Sequence, residues 1–135
     1  MTEKFYIGVV DDNPRMIECE KWVELDVIKK LIFGQNEEGF IEIVFNRYPD
    51  RNICIVCDDT GALTNKPVRF VTPVSDFIHG NCIICGMDTT DDLDRDICGI
   101  FLQQMLLPIN ASLYMDKNHN PIFGDALWEI MTTSI

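Results

Sequence analysis

The sequence predicts an α+β fold, with a mainly antiparallel sheet and one or two helices packed on it. Two stretches, ICIVC (53–57) and CIIC (82–85), are apolar at every position, which is typical of strands that are covered on both faces. Between residues 25 and 33 the apolar side chains recur with the period of a helix. The doubly wound alternation of strands and helices is missing, so we do not expect a parallel sheet.

The N-terminal third predicts two strands and a helix. KFYIGVV (4–10) reads as a strand that enters a turn at DDNP, because Pro14 cannot lie in a central strand. RMIECEKWV (15–23) alternates in polarity and fits a second strand, with a short helix as the alternative. ELDVIKKLIF (24–33) is the clearest helix, with acidic residues in its first turn and Gly34 placed to end it.

The middle of the chain predicts a run of strands. The stretch between Pro73 and Gly80 is predicted to be a loop that joins the last two of them. The strands are FIEIVF (40–45), ICIVC (53–57), VRFVT (68–72) and NCIICGMD (81–88).

A second helix is predicted over LDRDICGIFLQQMLL (93–107), with Asp91 or Asp92 as its N-cap. Pro108 is expected to end it, because a proline in a helix interior removes a hydrogen bond. The remaining residues, 108–135, are predicted to hold a short strand and a final helix. We expect one domain over residues 1–135, with a core at about 1–107 and this C-terminal extension.

Charge and composition limit the function. The chain has 135 residues and 11 basic against 22 acidic side chains, a net charge of −11. A direct nucleic-acid binder needs a basic face, so the charge argues against that class and is compatible with a basic protein partner. No apolar run approaches the roughly 20 residues of a membrane span. No secretory signal is recognised at the N-terminus, so we expect a cytoplasmic protein with reduced cysteines.

Two Cys-x-x-Cys pairs raise the question of a zinc site. The pairs are Cys54 with Cys57 and Cys82 with Cys85. Zinc knuckles place their thiolates on a tight turn, whereas apolar residues separate these cysteines. In a strand the two members of each pair would point to opposite faces of the sheet. We therefore expect buried thiols and no metal ligand, and the same geometry argues against a redox dithiol within either pair.

VVDDNP resembles the opening of a response-regulator receiver domain, in which Asp11 and Asp12 would help to bind magnesium. The rest of the chain lacks the five alternating strand–helix units of that fold, so we interpret both aspartates as turn residues.

A second resemblance covers much more of the chain, from Leu25 to about Asp88. The segments that carry it are the predicted helix, the strand with Ile41-Glu42, ICIVCDDTGAL (53–63), PVRFV (67–71) and SDFIHGNCIICG (75–86). The chain is similar to the domain-of-unknown-function family 3846, which is common in bacteriophages and mobile elements. The resemblance implies an α+β fold and a viral or mobile-element origin, and it supplies no catalytic residue.

Two groups of residues are candidate sites. An acidic patch for a protein partner is predicted where DTTDDLDRD holds five aspartates, with a solvated helix entrance as the alternative. A ligand site for an anionic nucleotide is predicted where Lys66, Arg69 and His79 could converge, with scattered surface charge as the alternative. The aspartates of the patch are Asp88, Asp91, Asp92, Asp94 and Asp96.

No catalytic motif is recognised, and we expect neither a catalytic residue nor a cofactor. The leading hypothesis is a non-enzymatic protein that antagonises bacterial defence by binding a host nuclease or defence complex, as an anti-CRISPR protein does. The alternative is a binding protein that sequesters a nucleotide immune signal. A small hydrolase is the third class. Because doubly apolar strands need cover on both faces, we also expect a homo-oligomer.

Overall fold

The computed structural model describes residues 4–34, 39–45, 53–72, 76–88, 97–133 and 135. Within these ranges the chain forms two sheets and three helices, and every strand pairing is antiparallel. The α+β class is confirmed. The elements in chain order are β1 Phe5–Val10, β2 Arg15–Cys19, α1 Leu25–Phe33, β3 Ile41–Phe45, β4 Ile53–Asp58, β5 Val68–Val71, β6 Phe77–His79, β7 Cys82–Met87, β8 Ile97–Cys98, α2 Leu102–Asn110, β9 Leu113–Met115, β10 Pro121–Phe123 and α3 Gly124–Thr132.

The larger sheet has the strand order β2-β1-β7-β4-β3, and β8 pairs with β7 beside this path. Its centre is the pair of doubly apolar strands, in which Cys54 lies opposite Cys85 and Cys57 lies opposite Cys82. Every residue of β4 is buried, as are the first five of β7. The prediction of two central strands covered on both faces is therefore confirmed.

Helix α1 covers one face of the larger sheet. Ile28 and Ile32 are its buried residues, and they pack with Cys54, Val56 and the other side chains of that face. The helix ends at Gly34, whose φ of 75° suits a residue without a Cβ and whose N–H donates to the Lys30 carbonyl oxygen at 2.8 Å. We call this surface the thiol face; its sheet residues are Ile7, Val9, Cys54, Val56, Ile83 and Cys85.

The smaller sheet, α2 and α3 cover the opposite face of the larger sheet. The smaller sheet has the order β10-β9-β5-β6. Its Phe70, which is fully buried, packs in one cluster with Ile55 and Ile84 of the larger sheet and with Leu127 of α3. Among the described residues α1 thus lies on one side of the larger sheet and a mixed layer on the other, and each side has its own cluster of buried side chains.

The second predicted helix was wrong at both ends. Residues 97 and 98 form β8, and α2 begins only at Leu102, where Gln104 Oε1 accepts the N–H of Phe101 at 2.8 Å. Pro108 lies inside α2 and does not end it. Its ring and the next residue, Ile109, are buried in the core, and this burial offsets the roughly 3 kcal/mol that an interior proline costs a helix.

The predicted loop between Pro73 and Gly80 was also wrong in part. Residues 77–79 form β6, which pairs with β5 and makes a second sheet possible. The residues after 108 contribute to that sheet, because β9 pairs with β5 and β10 pairs with β9. A short strand and a final helix were predicted there, and both are present. No helix in the described part of the chain is long and apolar enough to cross a membrane.

Candidate functional site

A cavity of about 530 Å³ opens where the free edges of the two sheets meet. β3 and the end of β4 form one wall, and β6 forms the other. We call it the acidic cleft. Its polar lining residues are Glu42, Asp58, Asp59, Asp76 and His79, and its apolar ones are Val44, Cys57, Ala62, Phe77 and Ile78.

The turn after β4 closes one end of the cleft. Asp58 begins it by accepting the N–H and the hydroxyl of Thr60 on Oδ1, at 2.9 and 3.1 Å. Gly61 then passes so close to β6 that a Cβ on it would collide with the carbonyl oxygen of His79. The turn needs a glycine at this point for close approach and not for an unusual φ.

Asp58 carries an ion pair at the base of this turn. Its Oδ2 lies 2.6 Å from Lys66 Nζ, and the Asp58 side chain is 4% exposed. Burial alone would raise the pKa of Asp58, but the hydrogen bonds from Lys66 and Thr60 and the charge of Lys66 outweigh burial and lower that pKa below 3.8. Asp58 is therefore an ionised structural carboxylate whose charge Lys66 compensates.

The other three carboxylates of the cleft are not compensated in this way. Among the described residues, no lysine or arginine forms an ion pair with Glu42, Asp59 or Asp76. The charges of two of them, Glu42 and Asp59, reach the floor of the cleft: burial, followed by the charges of Glu42, Asp58 and Asp59, raises the pKa of Cys57 to about 12. The acidic cleft therefore presents net negative charge to whatever enters it.

An aromatic side chain borders this charge. Phe77 on β6 is 65% exposed and lines the cleft beside Asp76. Val44 and Ile78 continue the apolar surface inwards. Carboxylates beside an exposed ring suit a partner that brings cationic groups on apolar stems, because such a group can pair with the charge and pack on the ring.

The predicted ligand residues lie in two places. Lys66 and His79 are together, since His79 Nδ1 lies 2.8 Å from the Lys66 carbonyl oxygen and must carry the proton there. Arg69 points elsewhere and pairs with Asp12 at 2.6 Å. The three side chains that were expected to converge therefore do not share one cavity.

Arg69 instead lines a second cavity of about 160 Å³, together with Lys117 and His119. Burial alone would lower the pKa of Arg69, but hydrogen bonds with Asp12 and Tyr114 outweigh it and raise the pKa. Arg69 Nε is buried and has no hydrogen-bond partner within the described structure. Asp12 and Asp116 also line this cavity, so positive and negative groups nearly balance.

Only one residue of the predicted acidic patch lies among the described residues. Asp88 pairs with Lys21, with 3.8 Å between Oδ2 and Nζ. Asp91, Asp92, Asp94 and Asp96 lie outside the described residues. The interpretation of Asp11 and Asp12 as turn residues is confirmed: Asp11 Oδ1 accepts the N–H of Asn13 at 2.8 Å, within the bend that follows β1.

The predicted orientation of the cysteines is confirmed. Cys54 and Cys85 lie on the thiol face, and Cys57 and Cys82 lie on the face of the smaller sheet. Sequence spacing did not reveal that the pairs meet across the strands: Cys54 Sγ lies 3.6 Å from Cys85 Sγ. Within the described ranges, no group of three or more histidine, cysteine or acidic side chains has the arrangement of a metal site.

Sequence reasoning missed the three uncompensated carboxylates. Glu42, Asp59 and Asp76 are far apart along the chain, and although each lies in a segment that carries the family resemblance, no motif joins them into one site. The local signal was the alternation in FIEIVF, which places Glu42 on the same face of β3 as Val44. That face becomes a cleft only because β6 exists, and β6 was predicted to be loop.

The fold and the cleft define the class of the molecule: a small antiparallel α+β protein with an acidic, partly aromatic cleft between two sheet edges. The chain belongs to the family described as Domain of unknown function (DUF3846), which matches residues 7–106. The match begins in β1 and extends into α2, so it contains every lining residue of the acidic cleft. None of the curated proteins and none of the solved structures matches the chain.

Proposed function

We propose that the protein acts by binding and not by turnover, and that it antagonises bacterial defence by holding a basic surface of a host nuclease or defence complex in the acidic cleft. The observation that carries the proposal is the grouping of Glu42, Asp59 and Asp76, without a described cationic partner, around one cavity. The host as the source of the partner follows from the resemblance to a family that is common in phages.

Charge supports this choice of partner. The protein carries a net charge of −11, and like charges would repel nucleic acid or another acidic protein. A nuclease must present a basic groove to its own substrate, so carboxylates placed in that groove would compete with phosphates. Attraction of this kind speeds association and weakens with salt, over a Debye length of about 8 Å at physiological ionic strength.

The arrangement of the histidine in the cleft supports binding over catalysis. His79 uses Nδ1 on a backbone carbonyl, and no described carboxylate orients the ring as a general base. Asp58, the buried carboxylate among the lining residues of the cleft, is held ionised by Lys66 and by the turn. His79 and Asp58 are therefore both engaged in structural hydrogen bonds. The negative charge of the other carboxylates is the property that the cleft offers to a partner.

The test is a plating experiment on bacterial strains that each carry one nuclease-based defence. Expression of the chain should restore phage plating on at least one strain. The triple variant Glu42→Gln/Asp59→Asn/Asp76→Asn should lose this effect, because it removes three negative charges from the cleft and takes the net charge of the chain from −11 to −8. The matched control Glu20→Gln/Glu24→Gln/Glu129→Gln removes the same charge elsewhere and should retain it. The proposal would be contradicted if the cleft variant still restored plating. It would also be contradicted if neither the wild-type chain nor the control restored plating on any strain.

The second candidate function is sequestration of a nucleotide signal, and the second cavity is the observation that favours it. The unpartnered Arg69 Nε, with Lys117 and His119 nearby, could hold one phosphate group if Asp12 moved aside. A thermal-shift series with inorganic phosphate, AMP and a cyclic dinucleotide tests this function. If a ligand stabilises the wild-type chain and Arg15→Gln but not Arg69→Gln, nucleotide sequestration replaces the protein-binding proposal. Arg15→Gln is the matched control, because Arg15 also pairs with an aspartate, Asp11, but lies outside the cavity.

A further inference from the structure

The acidic cleft lies beneath a strand that has one free edge. Among the described residues, β3 pairs with β4 and with no other strand, and it stands last in the order of the larger sheet. An edge strand presents unpaired N–H and C=O groups that can accept a further strand. The backbone groups of β3 that face away from β4 therefore decide how a further strand could pair with it.

Hydrogen bonding at the start of β3 identifies the outward groups. The Asp59 N–H donates to the Phe40 carbonyl oxygen at 2.9 Å, so this pair faces inwards, towards β4. Inward and outward backbone groups alternate along an antiparallel strand. The N–H and C=O groups of Ile41 and Ile43 therefore point away from β4.

Side chains alternate in the same strand and divide it between two environments. Glu42 and Val44 line the acidic cleft, whereas Ile41 and Ile43 pack towards the thiol face. A strand added beside β3 would follow the same alternation, because directly opposed residues of neighbouring strands share a face. Every second side chain of that strand would meet the carboxylates, and the others would extend the apolar surface beside Ile41 and Ile43.

The edge of β6 is less suited to accept a strand. The turn at Gly61 lies against the carbonyl oxygen of His79, and it occupies the space beside that end of the strand. β6 is also three residues long, whereas β3 has five. Of the two edges at the cleft, β3 offers the longer row of outward backbone groups.

We propose that the partner enters the acidic cleft as an extended segment that adds to β3 as an antiparallel strand, with basic and apolar side chains in alternation. The proposal rests on the proposed function and specifies how the same cleft recognises its partner. Lysine or arginine would lie opposite Glu42 and reach Asp59 and Asp76, and the Phe77 ring would pack on their stems. Backbone bonds to Ile41 and Ile43 would supply affinity, and the alternation would supply specificity.

A second copy of this chain does not fit the same edge. An antiparallel pairing of two β3 strands would bring the glutamates and the clefts of two chains together, and each chain has a net charge of −11. Like charges across a strand pair are destabilising. The basic segment is the occupant whose charge complements the cleft.

The test uses the peptide acetyl-Arg-Val-Arg-Val-Arg-Val-amide, labelled for fluorescence anisotropy, and three altered peptides. One has the same composition in blocks, Arg-Arg-Arg-Val-Val-Val. The other two are N-methylated either on every valine or on every arginine. In an antiparallel pairing the valines lie opposite Ile41 and Ile43 and turn their N–H groups towards β3. Methylation of the valines should weaken binding about tenfold or more, because several hydrogen bonds are lost, and methylation of the arginines should weaken it far less.

The outcomes separate this inference from the proposed function. If the block peptide and both methylated peptides bind as tightly as the parent, and the Glu42→Gln/Asp59→Asn/Asp76→Asn variant binds none of them, the cleft recognises charge alone and strand addition is overturned. If that variant binds the parent peptide as the wild-type chain does, the segment does not use this cleft and the inference fails, while the plating experiment still decides the function. If no cationic peptide binds the wild-type chain at low salt, both are overturned.

Discussion

The two central strands carry the same cysteine spacing, yet their two cross-strand pairs lie in contrasting surroundings. Cys54 and Cys85 are both 0% exposed, lie on the thiol face and approach to 3.6 Å. Cys57 and Cys82 lie on the opposite face, where Cys57 is 5% exposed and forms part of the floor of the acidic cleft. One motif therefore supplies a dry core layer on one side of the sheet and the base of a charged cavity on the other.

The titration of the thiols follows this difference. Interaction with Cys54 and complete burial raise the pKa of Cys85 well above 9.0. For Cys57, burial is followed in importance by carboxylates, which reach it because the cleft is charged. The thiol face is thus built for packing, whereas the cleft face combines packing with exposed charge. Stability and binding should then respond to substitutions on different faces, and the following variants test that division.

The largest effect on stability is expected from Ile28→Ala on the thiol face. Ile28 is 0% exposed and joins α1 to the larger sheet, so truncation leaves a cavity. The free energy of unfolding should fall by about 2–5 kcal/mol, measured by denaturant titration. Binding of the Arg-Val peptide should be unchanged under conditions in which the variant is folded. A loss of affinity there would show that α1 also controls the cleft, and the division between faces would not hold.

Smaller losses of stability than for Ile28→Ala are expected from Cys85→Ser and Cys57→Ser, and the two losses should differ. The hydroxyl introduced at position 85 would be buried beside the Cys54 thiol and would lack a strong partner, so the free energy of unfolding should fall by about 1–3 kcal/mol. Cys57→Ser should cost less, because Cys57 lines the cleft and is not completely buried, so a hydroxyl there can form a hydrogen bond with solvent. Thermal unfolding of both variants in parallel measures the difference. Equal losses would indicate that the floor of the cleft is as dry as the thiol face.

Acid should lower the free energy of unfolding through Asp58, which lies on the cleft face. Its pKa is lowered on folding, so the stability that it contributes is fully present above 3.8 and is lost as the pH falls from 3.8 through the lower pKa of the folded state. Asp58→Asn removes this contribution. The wild-type chain should be more stable than the variant near neutral pH, and the two free energies of unfolding should converge below pH 3.8. Parallel denaturant titrations across that range test the sign, and a constant difference would contradict it.

The sequence predicted the two faces better than it predicted the cleft. Alternation within ICIVC and CIIC is a local property, so the faces of Cys54 and Cys57 followed from the period of a strand. The residues of α1 and its end at Gly34 also followed from local periodicity and from a glycine with positive φ. These features depend on neighbours in sequence, and burial of α1 against the sheet reinforced them.

The cleft depends on contacts between distant segments. β6 has three residues, too few for a periodic signal, and it pairs with β5 beside β9 from near the C-terminus. Pro108 was expected to end a helix, but buried packing of the surrounding residues outweighs its local preference. Lys66 and Arg69 are close in sequence, yet Asp58 and Asp12 hold them in separate places. No local pattern carries that information.

The smallest effect on stability is expected from Phe77→Ala, which tests whether a residue of the cleft face contributes to binding without contributing to stability. The ring is 65% exposed on an edge strand, so its removal leaves little cavity and should change the free energy of unfolding by no more than about 0.5 kcal/mol. Binding should nevertheless weaken, because the stems of the bound arginines lose the ring on which they pack. Phe123→Ala is the matched control: Phe123 is 62% exposed on the edge strand β10 and does not line the cleft. Anisotropy titrations of the Arg-Val peptide should separate the two variants although their stabilities agree. If both bind as the wild-type chain does, the exposed ring contributes nothing to recognition, and the cleft would act through its carboxylates and the β3 backbone alone.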